Sequence, residues 1–300
     1  MIIYGRKEDD KMIDLHMHTT YSDGTDGVIA ILQKAESKKL NCISITDHNV
    51  CGAYDELKEI DVKKYYSGKI IKGVELNTKV LGIPIEILGY NINPEILKGL
   101  LKDAYISNTD RNILEVKRLY EICQKENIDV GENFLENYNP DMYASKYLHG
   151  KITSNIANKG MIDEDAWGNS NIFYRKYMSN PSTKFYVNMD DVLPDFNEAC
   201  EIVRKSGGMV FLPHIYEYRE NSDKILQYIL ENHEIDGIEC YYTTFTEKQH
   251  EYLLNLCKER NLLISGGSDY HGTFKPNVDM AVGFGNLSIP DSIIENWGIE

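Results

Sequence analysis

The chain has 300 residues, 42% of them hydrophobic, enough to bury a substantial core in one large barrel-like domain or two ordinary ones. Asp and Glu total 47 against 32 Lys and Arg, a formal charge of −15 that excludes general affinity for long nucleic acid or anionic lipid. Any phosphate ligand must therefore meet positive charge concentrated locally, and bound cations supply that without a basic surface. The six cysteines, at 42, 51, 123, 200, 240 and 257, form no CxxC pair and read as reduced, mostly buried thiols. Met1 to Lys11 carries Arg6, Lys7, Glu8, Asp9 and Asp10 without an apolar core segment. No run approaches the roughly 18 apolar residues of a membrane span, so the expected compartment is the cytoplasm.

In chain order, the apolar run Met12-Ile13-Asp14-Leu15 predicts a strand, and Gly27 to Lys39, with Val28, Ile31, Leu32 and Ala35 on one face, predicts a helix. Cys42-Ile43-Ser44-Ile45, a helix over about Ala53 to Tyr65, Ile70 to Val74 and Ile85 to Tyr90 follow. The same alternation returns near the C-terminus: Gly208 to Leu212, a helix from Asp223 to Asn232, Gly237 to Cys240, a helix from Thr246 to Arg260, and Leu262 to Ile264. Repeated strand and helix argue for a parallel α/β barrel or a doubly wound sheet. The alternation occupies both ends of the chain, 12–93 and 197–288. Between them, 94–196 loses the strand signal and reads as an inserted, mostly helical subdomain. Its clearest helix is Asp110 to Asn127. The insertion's tyrosines, among them Tyr138, Tyr143, Tyr147, Tyr174 and Tyr177, could stack on bases, but wedging helices together is the preferred reading.

Five groups of potential ligands each follow an apolar run: Asp14-Leu15-His16-Met17-His18 with Asp23 beyond it, Thr46-Asp47-His48, Gly73-Val74-Glu75, Pro213-His214, and Gly267-Ser268-Asp269-Tyr270-His271. On an extended chain, residues two apart share a side, so His16 with His18 and Asp269 with His271 can each grip one ion. A lone HxH or a lone strand-end Glu is ordinary. Five of the chain's eight histidines at predicted strand ends are not, because in an α/β barrel those ends converge. Imidazole and carboxylate without thiolate suit zinc, manganese or iron, and clustered divalent ions suit phosphoester hydrolysis through an activated water.

These motifs together resemble the PHP (polymerase and histidinol phosphatase) superfamily, over about residues 12 to 93 and 197 to 288. The long insertion, Gly237 to Tyr242 and Gly266 to Gly272 look like its TrpH-type branch of metal-dependent phosphoesterases. The resemblance implies a distorted (β/α)₇ TIM-like barrel, two to three divalent ions, and a substrate that is a nucleotide (AMP or 3′,5′-bisphosphate type) or a short oligonucleotide. It implies that His16, His18, Glu75 and Asp269 hold one ion, that Glu75 bridges to a second ion also bound by His214, and that Asp23, His48 and His271 hold a third. His16, His18, Glu75, Asp269 and His271 would carry the catalysis, with Asp47 hydrogen-bonding a ligand.

Two positions depart from the branch pattern. Where it usually has His in I-H-I-L-G-Y, this chain has Ile85-Glu86-Ile87-Leu88-Gly89-Tyr90, so Glu86 would give the second ion harder oxygen ligation. Substrate phosphate would meet Arg111 and Asn112 at a helix start and Lys151 in Gly150-Lys151-Ile152-Thr153, where the family tends to have Arg. A histidinol-phosphate phosphatase and a noncatalytic metal- or nucleotide-binding module remain as alternatives.

Overall fold

Met12-Ile13-Asp14 forms the first strand, β1, in a computed structural model that describes residues 12–299; the expectation for Met1 to Lys11 lies outside them. β1 pairs in parallel with β2 (Leu40–Ile43), and β2 with β3 (Lys69–Ile70), giving a three-stranded sheet. A second sheet holds β4 (Gly73–Val80), β5 (Ile83–Tyr90), β6 (Met209–Leu212), β7 (Gly237–Tyr242) and β8 (Leu263–Gly267) in that order. With helices alternating between most strands, this is an α/β fold carrying a helical insertion.

Two features differ from the expectation of one parallel barrel. The run Ile70 to Val74 breaks after Ile70, and β4 then continues as far as Val80 in an antiparallel hairpin with β5. Leu81 and Gly82, the two loop residues, both take positive φ (54° and 72°), the geometry of the tight hairpin turn that matches strand twist. Gly82 suits such a turn but leucine does not, so the sequence carries only half of the usual hairpin signal. β5 also runs antiparallel to β6, and parallel pairing resumes only from β6 through β8.

The hydrogen-bonded strands do not close into a single seven-stranded sheet. The two sheets meet instead at isolated parallel bridges, His48 with Glu75 and Met17 with Tyr270. Leu15 N donates to Gly266 O at 3.1 Å and Asp269 N to His16 O at 2.9 Å beside the second bridge. Both bridges involve or adjoin candidate ligands, so the seams between the sheets are where the site residues meet.

One compact unit runs to Ala104 and resumes at Leu193; the other is Tyr105–Val192. The helix Pro94–Ala104 thus belongs with the strands, whereas the sequence suggested an insertion beginning at 94. The first unit's core includes Ile13, Leu15, Leu88, Tyr90, Phe211, Ile289 and Trp297. Helices Phe196–Lys205 and Glu247–Arg260 each begin with a capping box, from Asp195 with Glu198 and from Thr246 with Gln249, which ties up amides otherwise left unpaired.

The helical unit has its own core, around Leu119, Phe134, Leu148, Phe173 and Phe185. Tyr138, Tyr147 and Tyr177 pack against it, while Tyr143 and Tyr174 are exposed. All six cysteines are buried free thiols. Among the described residues no helix is long and apolar enough to cross a membrane.

Candidate metal centre

Extended backbone beyond β1 places Leu15 and Met17 on one side and His16 and His18 on the other, all buried. β8 passes directly beside this segment. A Cβ on Gly267 would come within 2.1 Å of His16 Cβ, so only glycine lets the two chains approach this closely. Asp14 fastens the crossing, its buried carboxylate accepting from the Ser268 amide and hydroxyl and from the amides of His16 and Ala281.

Glu75, at the His48 bridge, is the hub. Its Oε2 lies 3.2 Å from His16 Nε2, 3.1 Å from His18 Nε2 and 3.3 Å from His48 Nδ1, and its Oε1 lies 2.9 Å from His214 Nε2. Asp269 Oδ1 faces His16 Nε2 at 3.6 Å, His18 Nε2 at 3.3 Å and His271 Nδ1 at 3.2 Å. Asp23 Oδ1 faces His271 Nε2 at 3.2 Å and His18 Nδ1 at 3.5 Å. Glu86 reaches His214 Nε2 at 3.3 Å and His48 Nδ1 at 3.6 Å. All nine residues expected as metal ligands are therefore neighbours.

Three sets offer ligand atoms that lie within 4.8 Å of one another: His18, Asp23, His48 and His271; His16, His18 and Glu75; and His48, Glu75 and Glu86. These are clusters capable of coordinating divalent metal ions. His18 belongs to two of them, as do His48 and Glu75, so neighbouring ions would share ligands. The donor chemistry fits such ions. His18 Nε2, His48 Nδ1 and His214 Nδ1 are buried nitrogens without a hydrogen-bond partner, although a carboxylate oxygen stands close to the first two. Leaving a buried polar atom unpaired is costly, and a cation would satisfy those that face the carboxylates.

Charge in the cluster points the same way. Burial alone would depress the His16 imidazole, but Glu75, Glu239 and Asp269 override it and hold it well above its usual value. Against the same burial, the Asp269 and Glu75 carboxylates lift His18 to about 10, and Glu75 and Glu86 lift His214 to about 9. Glu75, despite burial, is held well below the carboxylate range by His16 and His48. Glu86 moves the other way: lost hydration and the neighbouring Glu75 push its carboxyl up. Protons on these imidazoles occupy the places that cations fit, so ion binding there must release them.

Several supporting residues were not singled out from the sequence. Glu239 on β7 is fully buried; its Oε1 lies 3.0 Å from His16 Nδ1 and its Oε2 accepts from the His214 amide at 2.8 Å. An ionised carboxylate only accepts, so Nδ1 carries the hydrogen and His16 presents Nε2 to Glu75. The available signal was a charged residue inside the apolar run Gly237-Ile238-Glu239-Cys240. Tyr242 donates to Asp269 Oδ2 at 2.7 Å, and Lys275 pairs with the same oxygen. Asp47 corrects an expectation: its carboxylate accepts from Thr19 N, Thr19 Oγ1 and Ser22 Oγ, each at 2.7 Å, rather than from a ligand side chain. It anchors the loop that presents Asp23, because its three donors all come from Thr19 and Ser22.

Glu239→Gln should leave the fold intact but allow the amide to donate to His16 Nδ1, turning the imidazole to the wrong tautomer. Metal affinity is expected to fall by about ten- to a hundredfold, the usual consequence of losing a carboxylate behind a ligating His. Titration with manganese or zinc checks this, and unchanged affinity would remove Glu239 from the centre.

Arg111, Asn112 and Lys151 lie in the helical unit. Arg111 is an exposed residue of the helix Asn108–Lys125, Asn112 Nδ2 donates to Pro140 O at 2.9 Å, and Lys151 Nζ sits 5.4 Å from the centre of the Tyr147 ring.

The PHP domain model matches residues 14–179, from the buried Asp14 of β1 into the helical unit. The chain belongs to the PHP domain family. Among curated PHP-like relatives, a 5′-3′ exoribonuclease of Haemophilus influenzae is 24% identical over 291 residues, covering 96% of this chain and 98% of that one. A phosphoribosyl 1,2-cyclic phosphate 1,2-diphosphodiesterase of Eggerthella lenta is 22% identical over 277 residues, covering 87% and 94%. The crystal structure of a Bifidobacterium adolescentis protein assigned to the metal-dependent phosphoesterases superposes with a TM-score of 0.66 at 21% identity, covering 95% of this chain and 94% of that one. This last likeness is one of fold, and this PHP chain shares it along nearly its whole length.

Proposed function

We propose that the protein is a metal-dependent phosphoesterase that hydrolyses a phosphate ester of a nucleotide, of the AMP or 3′,5′-bisphosphate type, or of a short oligonucleotide. The observation that carries this reading is the meeting of five imidazoles and four carboxylates, Glu75 the hub among them, with buried nitrogens left unpaired. Two to three divalent ions, manganese, zinc or iron, would be held by His16, His18, Asp23, His48, Glu75, Glu86, His214, Asp269 and His271. When bound, such ions activate water and neutralise charge on phosphoryl oxygens.

The chain's own groups do the rest. Glu75 holds four imidazoles in register, Glu239 fixes the His16 tautomer, and Asp47 holds the Asp23 loop. The names of the Haemophilus and Eggerthella relatives both describe cleavage of phosphate esters on ribose-containing molecules, which supports the nucleotide class. The reading includes a distorted (β/α)₇ barrel of the TrpH-like branch, a cytoplasmic location, and contacts to substrate phosphate from Arg111, Asn112 and Lys151. Arg111→Ala is then expected to raise KM with little change in ion content.

The test is phosphate release from adenosine 3′,5′-bisphosphate, AMP, histidinol phosphate and a short RNA, with manganese, zinc or iron supplied and His16→Ala as control. Release from a nucleotide or RNA that disappears in the control supports the proposal. Preferential turnover of histidinol phosphate would replace it with that phosphatase, and ion binding without turnover of any ester would leave a noncatalytic module.

A further inference from the structure

Lys275 follows Asp269 by six residues, in the segment beyond the last candidate ligand, His271. Asp269 has two distinct edges. Its Oδ1 faces His16, His18 and His271, whereas its Oδ2 accepts from Tyr242 OH and pairs with the Lys275 ammonium. About 30% of the Lys275 side chain is accessible against 7% for Asp269, so Lys275 is the member of the pair that is open to water. Tyr242 already supplies a good donor to Oδ2 at 2.7 Å. Holding a long lysine over an oxygen so provided for is costly in side-chain entropy, and satisfying Asp269 does not require it. In a chain with a formal charge of −15, a partly exposed cation held against a member of this cluster also answers the need for local positive charge near a phosphate.

We propose that Lys275 is a substrate-binding residue, whose ammonium donates to the non-bridging oxygens of the ester phosphate. This rests on the phosphoesterase reading above and deepens it. Asp269 would hold an ion through the edge that faces the imidazoles, which would leave less charge on the edge that grips Nζ, and an ammonium has three donors, of which one faces Oδ2. As a compact point charge on a flexible stem, it can follow the phosphoryl group without the fixed fork of an arginine. A terminal phosphate, with two negative charges, gains more from the added cation than an internal diester with one. The substrate class is therefore a phosphomonoester or the phosphorylated end of an oligonucleotide.

The test uses the ion-loaded full chain, Lys275→Gln and Lys275→Arg, with inorganic phosphate binding followed by calorimetry and bound metal by elemental analysis. The Gln variant is expected to keep its ions and to bind phosphate about ten- to a hundredfold more weakly, the size of a lost charge-assisted hydrogen bond. The Arg variant should recover part of that loss, and with an active ester KM should rise more than kcat falls. Loss of ions in step with phosphate affinity would overturn the proposal and reduce Lys275 to a support for Asp269. Equal phosphate binding by wild type and the Gln variant, or none by ion-loaded wild type, would overturn it as well. Phosphate binding that depends on Lys275, in a protein that hydrolyses no ester, would instead sink the phosphoesterase reading and leave this assignment standing.

Discussion

Glu75→Ala should dismantle most of the centre: bound divalent ions are expected to fall to at most one per chain, and phosphate release by about a thousandfold or more. The size of the effect follows from geometry. Glu75 is within 3.3 Å of nitrogens from His16, His18, His48 and His214, and two of the three potential ion sites use it. Its removal also leaves four imidazoles facing one another with less negative charge between them. In the ion-free protein, Glu75 is among the carboxylates that hold His18 and His214 above their ordinary values. Those imidazoles would therefore protonate less readily in the variant, and the anion that draws four of them together would be gone. Elemental analysis of dialysed protein, with circular dichroism to establish folding, separates a lost site from a lost fold. A folded Glu75→Ala variant that keeps two ions and turns over ester within about tenfold of wild type would refute the placement of Glu75 as hub.

Much of this centre could be read in the sequence because extended backbone makes the readable pattern local. His16 and His18 are two residues apart on extended backbone, whose alternation predicts a common side, whereas Asp269 takes a positive φ of 56° beyond β8, so alternation does not account for its meeting with His271. That the five groups would meet followed from each lying after an apolar run. What the sequence hid depends on pairings between distant segments. Glu239 looked like one acid within an apolar strand, and only the close packing of β7 against His16 and His214 shows why it is buried there. Asp47 adjoins His48, yet its carboxylate points to Thr19 and Ser22, a direction no spacing specifies. The β4–β5 hairpin is only faintly written in the sequence because Leu81 adopts positive φ, which local propensity disfavours and tertiary pairing enforces.

On the proposed reading Glu86 would set which ion the second site prefers, and replacing it should change the metal more than the fold. Its register partner Asn77 lies two residues beyond Glu75 on β4, so the two acids project toward the same pair of imidazoles, His48 and His214. The Glu86 amide donates to Tyr218 OH at 2.9 Å, which fixes the strand beside the 3₁₀ turn that follows His214. The carboxyl itself is pushed up by lost hydration and by Glu75, a repulsion that a divalent cation between the two would convert to attraction. A site of two carboxylates and imidazoles has harder oxygen character than one with a third imidazole, and favours manganese relative to zinc. Glu86→His is therefore expected to shift the zinc-to-manganese affinity ratio toward zinc by about tenfold or more, while Glu86→Ala loses one ion per chain. Competition titrations with both metals, read by elemental analysis, measure the shift directly. If Glu86→Ala binds the same number of ions with the same preference as wild type, the Glu86 carboxylate is not a ligand, and His214 and Glu75 must hold the second ion without it.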